Sequence, residues 1–277
     1  MAIKEKLQVQ ALTIAGFDSG GGAGLQADLK VFQELFVYGT SVLTALPIQN
    51  TLGVKGVFDI PLSAIEQQLA VVFEDFKLQA VKTGMLFTSE IIHLVANYIK
   101  QFEFGPLVVD PVMIAKSGQK LLLDSAIESM ITELLPQANV ITPNIPEAEV
   151  LLNRPINTKG EIVQAAFDLQ KIGVDNVVIK GGHSQDNLHS DDLLLLADGK
   201  LHWLKSERFD TKNTHGTGCT FSACITAELA KGKSVYEAVI FAKKYIQLAI
   251  SHPIAVGCGH GPTNHFAYRQ ESLNERD

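Results

Sequence analysis

From near its N-terminus to its last quarter, the chain alternates short apolar runs of strand type with segments of helical period. A strand followed by a helix, repeated many times, builds crossover units whose strands lie parallel. "ALTIAG" reads as a first strand. The helix that follows, from about Gly24, puts Leu25, Leu29, Phe32 and Leu35 on one face. "YGTSVLTAL" is a second strand and "VKGVFDI" a short third, before a helix that aligns Ile65, Leu69, Val72, Phe73 and Phe76. Then come "AVKTGML", a helix near Glu90 to Lys100, "PLVVDPV", a helix near Ser125 to Leu135, and "NVITPN". A short helix spans Glu147 to Leu152 and a longer one Lys159 to Ile172, ahead of the strand "NVVIKGG". "DDLLLLADGKLHWLKSERF" reads as a hairpin turning at Asp198-Gly199, and two closing helices start near Gly218 and Ser234. The strands are apolar on both faces, so the expected fold is a three-layer α/β/α arrangement with a mostly parallel central sheet. No linker, repeat or low-complexity tract divides the 277 residues, which favours a single domain over 1–277.

Ligands of such sheets gather at the carboxyl ends of the strands. The strand exits here are rich in Gly, Asn and Asp: "AGFDSGGGAG", "PIQNT", "KTGM", "DPVM", "TPNIPE", "KGGH" and "NTHGTGC". Their recurrence predicts one composite site. The formal net charge of −7 gives no basic footprint for nucleic acid. Three cysteines, an odd number in no regular framework, suggest a reduced cytosolic protein without structural disulfides. No apolar run approaches the ~20 residues of a membrane span, and the N-terminus lacks the apolar core of a signal peptide.

The stretch "NTHGTGCT" (213–220) carries the most chemistry. A glycine-rich entry to a helix exposes backbone N–H groups at the positive end of the helix dipole, a ready anion site. Backbone donors from Gly216 to Cys219 could hold phosphate oxygens, and the same field predicts an acidic thiol at Cys219. Its bland alternative is a small buried residue in a helical turn. "GGGAG" followed by Ala27 formally matches a dinucleotide fingerprint, but Gln49 and Asn50 stand where that fingerprint wants an acid. A turn that merely permits the helix to start is the plainer reading of those glycines. Asp28, one turn into the helix, could reach back toward a ligand hydroxyl or be an ordinary helix acid. No G-x-x-x-x-G-K-[ST] occurs, so a nucleotide would be held by "KGG" at 180–182 and by the "GTGC" turn. Asn144 and Glu147 at i, i+3, with Asp110, offer hard oxygens suited to magnesium through waters. Taken singly, Asn144 is a helix cap and Glu147 an N-terminal helix acid. His252, Cys258, His260 and His265 crowd the C-terminal loop, but their spacing fits no compact zinc pattern.

In combination, "AGFDSGGGAGLQADLK", "QNTLGV", "KTGML", "DPVMIAKSG", "VITPNIPEAE", "KGGH" and "NTKNTHGTGCTFSA" resemble the hydroxymethylpyrimidine/phosphomethylpyrimidine kinases of thiamine biosynthesis, in the ribokinase-like superfamily. The likeness runs from about residue 10 to residue 266. It implies a kinase that uses ATP and magnesium to phosphorylate 4-amino-5-hydroxymethyl-2-methylpyrimidine and then its monophosphate, acting as a homodimer. The resemblance implies that Gln49 bonds the aminopyrimidine edge, with Gly16, Ala23, Asp28, Met85 and Val112 lining the pocket. Cys219 would be the catalytic base and Gly216 and Gly218 the anion hole. Lys180, Gly182 and Thr217 would serve the nucleotide, and Asn144, Glu147 and Asp110 the metal. Two departures fall in the pocket: Phe17 replaces the family's usual Ser or Thr, and Leu46-Pro47-Ile48 replaces small residues before the Gln. The nearest rival is a pyridoxal/pyridoxine kinase of the same superfamily; Gln49 and "HGTGC" favour the pyrimidine.

Overall fold

The strand signal of "ALTIA" becomes β1 (Gln10–Ala15), which lies inside an eight-stranded sheet of the computed structural model; residues 7–113, 124–183 and 188–274 are described. The "AKSG" motif at 115–118 lies outside them. β1 pairs parallel with β2 (Tyr38–Leu43) on one side and with β5 (Ala80–Thr83) on the other. From β5 the sheet continues in parallel through β6 (Leu107–Val109), β7 (Val140–Ile141) and β8 (Asn176–Ile179). The expected hairpin, β9 (Asp192–Leu195) and β10 (Leu201–Leu204), closes that edge antiparallel to β8, and its turn holds Gly199 at φ +82°.

Side-chain alternation along each strand feeds two apolar layers. Leu12 and Ile14 of β1 pack in one layer with Ile65 and Leu69 of α2 (Leu62–Asp75) and Ile92 and Val95 of α3 (Ser89–Gln101). α4 (Asp124–Ser129), α5 (Ile145–Leu152) and α6 (Lys159–Lys171) extend that layer. On the opposite face Ala11, Ala80, Val108 and Val178 meet α1 (Gly24–Glu34), α7 (Thr217–Ala230) and α8 (Val235–Ser251). This is the three-layer arrangement that the alternating pattern predicts. None of the described helices is long and apolar enough to cross a membrane.

The structure departs from the sequence reading in three places. "YGTSVLTAL" does not run on as one strand. Thr44 donates its N–H to Ala15 O (3.0 Å) and its hydroxyl to Met85 O (2.6 Å), which pulls the chain out of the sheet. Beyond it β3 (Ala45–Asn50) pairs antiparallel with β4 (Gly53–Asp59) in a separate two-stranded flap. The helix expected over 125–135 is α-helical only to Ser129. A widened turn follows at Met130–Leu134 and a tight one at Leu135–Gln137, where Pro136 ends the helical bonding. A final helix, α9 (Ala267–Asn274), is weakly apolar and gave no periodic signal.

On α2, Leu69 is fully buried and Val71 is 60% exposed. Leu69→Ala is expected to cost about 2–5 kcal/mol in urea unfolding and Val71→Ala less than about 0.5. Equal losses would mean that α2 does not pack as described.

Candidate active site

The chain leaves β1 toward β2 on one side, while β5 lies on the other, so the exits of β1 and β5 diverge and open a crevice. Gly16 ends β1 and accepts the N–H of Leu25 at 3.0 Å. A Cβ on Gly16 would lie 2.6 Å from Met85 Cε, so Met85 lies directly against Gly16. Gly24 starts α1 at φ +53°, and a Cβ there would lie 2.3 Å from Gly16 O; only glycine allows this approach.

Asp18, 1% exposed, ties this loop together. Its Oδ1 accepts Gly20 N–H (2.8 Å), and its Oδ2 accepts Gly22 N–H (2.9 Å) and Ala23 N–H (2.8 Å). His215 Nε2 lies 2.8 Å from the same Oδ2. Burial pushes the Asp18 carboxyl up, but His215 and the backbone donors outweigh it and hold it below the usual range. The contact brings the loop before α7 onto the loop before α1. Gly216, at φ +78°, is pressed so close that a Cβ would sit 1.7 Å from Gly22 O. A third segment joins them: His215 N–H donates to Gly261 O (3.1 Å) and Thr263 N–H to His215 O (3.2 Å).

α7 begins at Gly216 with no side-chain cap and no acid in its first turn, leaving backbone N–H groups of Gly218 and Cys219 for an anion, while that of Thr217 donates to Thr214 O (3.3 Å). Thr217 turns its hydroxyl to Thr214 O (2.7 Å). Behind Gly218 stand two charges: a Cβ there would lie 3.2 Å from Lys180 Nζ and 3.6 Å from Asp110 Oδ2. Lys180 and Asp110 pair at 3.1 Å, and Asp110 also accepts hydroxyls from Thr142 (3.2 Å) and Ser222 (3.1 Å). Despite full burial, the Lys180 and Lys82 ammoniums keep Asp110 below its ordinary range. Glu147 goes the other way. Burial and the nearby Asp110 push it up to about 7, with Lys180 opposing. Asn144 and Glu147 form a reciprocal capping box on α5: Asn144 Oδ1 accepts Glu147 N–H (2.9 Å) and Glu147 Oε2 accepts Asn144 N–H (2.8 Å). Beneath the crevice, Asp28 Oδ2 pairs with the fully buried Lys82 (2.9 Å) and accepts the Thr13 hydroxyl (2.6 Å). Its Oδ1 is buried without a hydrogen-bond partner among the described residues.

The family model for phosphomethylpyrimidine kinase matches residues 18–264. The chain belongs to that family. It is 56% identical over 261 residues to the hydroxymethylpyrimidine/phosphomethylpyrimidine kinase of Haemophilus influenzae, an alignment that covers 94% of this chain and 97% of the relative. Among solved structures, an ADP complex of Bacillus subtilis pyridoxal kinase superposes with a TM-score of 0.88 at 41% identity, covering 95% of this chain and 99% of that one. Clostridium difficile phosphomethylpyrimidine kinase superposes with a TM-score of 0.79 at 42% identity, covering 88% and 100%.

In this phosphomethylpyrimidine kinase family member, Gly16, Ala23, Met85, Gly216, Gly218, Cys219, Lys180 and Asp110 gather around one crevice. Val112 follows Asp110 in a tight turn, its N–H on Asp110 O (2.8 Å). Gly182 follows Lys180 in a short turn and accepts Arg208 Nη1 at 2.9 Å. Gln49 sits on the flap at a register shift after Ile48; Ser19 Oγ donates to its carbonyl (2.5 Å) and accepts its N–H (3.0 Å). Phe17 donates its N–H to Ala45 O at the root of the flap, and Pro47 opposes Val57 within it.

One expectation needs correction. The Cys219 thiol is not acidic in this state: burial pushes it up to about 12, with Asp28 and Asp110 adding and Lys82 opposing. Desolvation of a thiolate here outweighs the helix dipole. Asp28 does not reach up from an exposed face; it is fully buried and paired below the crevice. Asn144 spends its side-chain oxygen on a helix cap. His265, counted among the C-terminal metal-type residues, lies buried 3.0 Å from Thr220 Oγ1, and burial pushes its imidazole down to about 4. The sequence reading missed Asp18, Ser19, Lys82 and His215 as site-building residues. An Asp two residues before a run of three glycines, where its carboxylate can accept local backbone N–H groups such as those of Gly20 and Gly22, was the available signal for Asp18.

Iodoacetamide labelling read by peptide mass spectrometry tests the thiol. The exposed Cys258 should react first, while the rate at Cys219 climbs about tenfold per pH unit from 7 to 10 without levelling. A plateau below pH 9 would restore the acidic thiol.

Proposed function

We propose that this chain is an ATP-dependent kinase that phosphorylates 4-amino-5-hydroxymethyl-2-methylpyrimidine, then its monophosphate to the diphosphate, in thiamine biosynthesis. The observation that carries this reading is the uncapped start of α7, with Cys219 in its first turn and Lys180 behind it, opening on the Gly16–Met85 crevice. An aminopyrimidine presents a donor and an acceptor on one edge, which the Gln49 amide can match from the flap. Gly16, Ala23, Met85 and Val112 line the ring, and Asp28 closes the floor. The N–H groups at Gly216 to Cys219 receive the charge that builds on the transferred phosphoryl group. Lys180, Gly182 and Thr217 face the nucleotide phosphates.

Asp110 and Glu147 fit a magnesium ion as hard oxygen donors. A buried carboxyl held near 7 beside a second carboxylate lacks positive charge, and Lys180 alone does not supply it. Magnesium bound there through waters, with Asn144 alongside, would neutralise phosphate oxygens. The protein's own proton chemistry falls to Cys219. In the first step the substrate hydroxyl oxygen attacks the γ-phosphorus of ATP and its proton passes to the thiolate form of Cys219, while the bond from that phosphorus to the bridging oxygen breaks and ADP leaves. Lys82 favours the thiolate form, and burial with Asp28 and Asp110 opposes it. In the second step the nucleophile is a phosphate oxygen, already largely ionised above its second pKa of about 6, so no base is required.

The reading includes one ribokinase-like kinase domain, a cytoplasmic setting and a homodimer. Ile48, Leu52 and Phe58 on the flap are 40%, 72% and 64% exposed, an apolar surface suited to a second copy. Pyridoxal is the second substrate to weigh, because Phe17 and Pro47 both lie at the pocket.

A phosphorylation panel read by mass spectrometry decides between them, offering the pyrimidine alcohol, its monophosphate, pyridoxal and pyridoxine with ATP and magnesium. Turnover of both pyrimidines is expected; turnover of pyridoxal alone would overturn the substrate assignment. Because the thiol holds its proton at neutral pH, kcat for the alcohol should rise from pH 6.5 to 9 while kcat for the monophosphate stays nearly flat. Cys219→Ala should slow the alcohol step by about 10²–10⁴-fold with pyrimidine binding retained. Binding lost in parallel with turnover would make the thiol structural.

A further inference from the structure

Lys243 of α8 is 8% exposed and Asp192, the first residue of β9, is 5% exposed, and they pair at 2.6 Å. Taking two charges out of water is costly, and a well-packed apolar pair would often serve stability as well or better. What the pair holds is therefore informative. Asp192 Oδ1 accepts the N–H of Gly181 at 2.8 Å, while Oδ2 takes the Lys243 ammonium, which also donates to Ser190 O at 2.8 Å. Gly181 is clamped from the same side: a Cβ there would lie 1.9 Å from Asp191 O. Gly181 is the residue after Lys180, whose N–H is fixed on Pro143 O (2.8 Å) and whose ammonium reaches Asp110 beside Gly218. Lys180 also bridges the backbone of Asn144. The path from α8 to the phosphate pocket thus runs through two charge-assisted contacts and one peptide.

We propose that Lys243 and Asp192 are positioning residues of the nucleotide site: they fix the Gly181 turn and so aim Lys180 at the phosphates. Neither side chain needs to touch the nucleotide. The role rests on the reading of Lys180 as a nucleotide residue. It predicts a defect confined to the nucleotide, because the pyrimidine pocket is built from β1, β5 and the flap at the other side of the crevice.

The test compares wild type, Lys243→Met, Asp192→Asn and Lys243→Arg by ADP calorimetry and by KM for ATP and for the pyrimidine alcohol. In Lys243→Met, the ADP Kd and ATP KM should rise tenfold or more while the alcohol KM stays within twofold. Lys243→Arg, which keeps a donor for Asp192, should recover most of the loss. Asp192→Asn keeps an acceptor for Gly181 and should weaken ADP about threefold; it decides the matter if Lys243→Met does not fold. Unchanged ADP binding in a folded variant, or a parallel rise in both KM values, would overturn the positioning role alone. Failure of the wild-type chain to bind ADP would overturn the nucleotide reading itself, and this role with it.

Discussion

One buried carboxylate, that of Asp18, takes three backbone N–H groups and an imidazole within 2.9 Å. Hydrogen bonds to an ionised acceptor are about twice as strong as neutral ones, and four of them offset the cost of burying a charge. The loop before α1 and the loop before α7 lie almost 200 residues apart in sequence, and neither has an apolar core of its own. Asp18 makes them one body, and the contact of Gly216 with Gly22 O leaves no space for either to slide. The start of α7, where an anion would rest, and the exit of β1, where an alcohol would rest, are thereby held at a fixed separation. Proximity of this kind is worth more to phosphoryl transfer than any single donor.

The two faces of the sheet divide the labour. On the side of α2 and α3 the strands present mostly apolar side chains, with Thr40 and Thr83 among them. On the side of α1 and α7 the central strands present Thr13 and Lys82 beneath the crevice, both without solvent exposure. Around them, Asp28, Asp110 and Glu147 interleave with Lys82 and Lys180. Three carboxyl groups thus stand against two ammoniums. Burial, with Asp110 adding, pushes Glu147 and Cys219 toward their protonated forms, and burial likewise raises Asp28, whereas the Lys180 and Lys82 ammoniums together hold Asp110 ionised. A low-dielectric floor of this composition responds strongly to any charge that enters above it.

Much of the fold is legible because periodicity records burial. β1, the start of α1 at Gly24 and the hairpin at Asp198-Gly199 all follow from local pattern. The break at Thr44 does not, because it is made by acceptors on Ala15 and Met85 that are distant in sequence. The site was legible where glycine spacing exposes backbone donors, as at 216–219. It was misread where tertiary desolvation reverses a local field, as at Cys219, and overlooked where a side chain bonds remote loops, as at Asp18 and Lys82. Asn144 and Glu147 show the intermediate case, in which one spacing satisfies a helix cap and a metal reading at once.

The flap is hydrogen-bonded as a sheet only to itself. It is fastened elsewhere at its root by Thr44, at Gln49 by Ser19, and at Thr51 by the N–H groups of Gly259 and His260. Inserting or exchanging residues between 45 and 59 would re-register no strand of the main sheet and disturb no group around Asp110. In the proposed reading, the part of ring recognition that Gln49 supplies therefore sits on a piece of chain separate from the strands that carry Asp110 and Lys180.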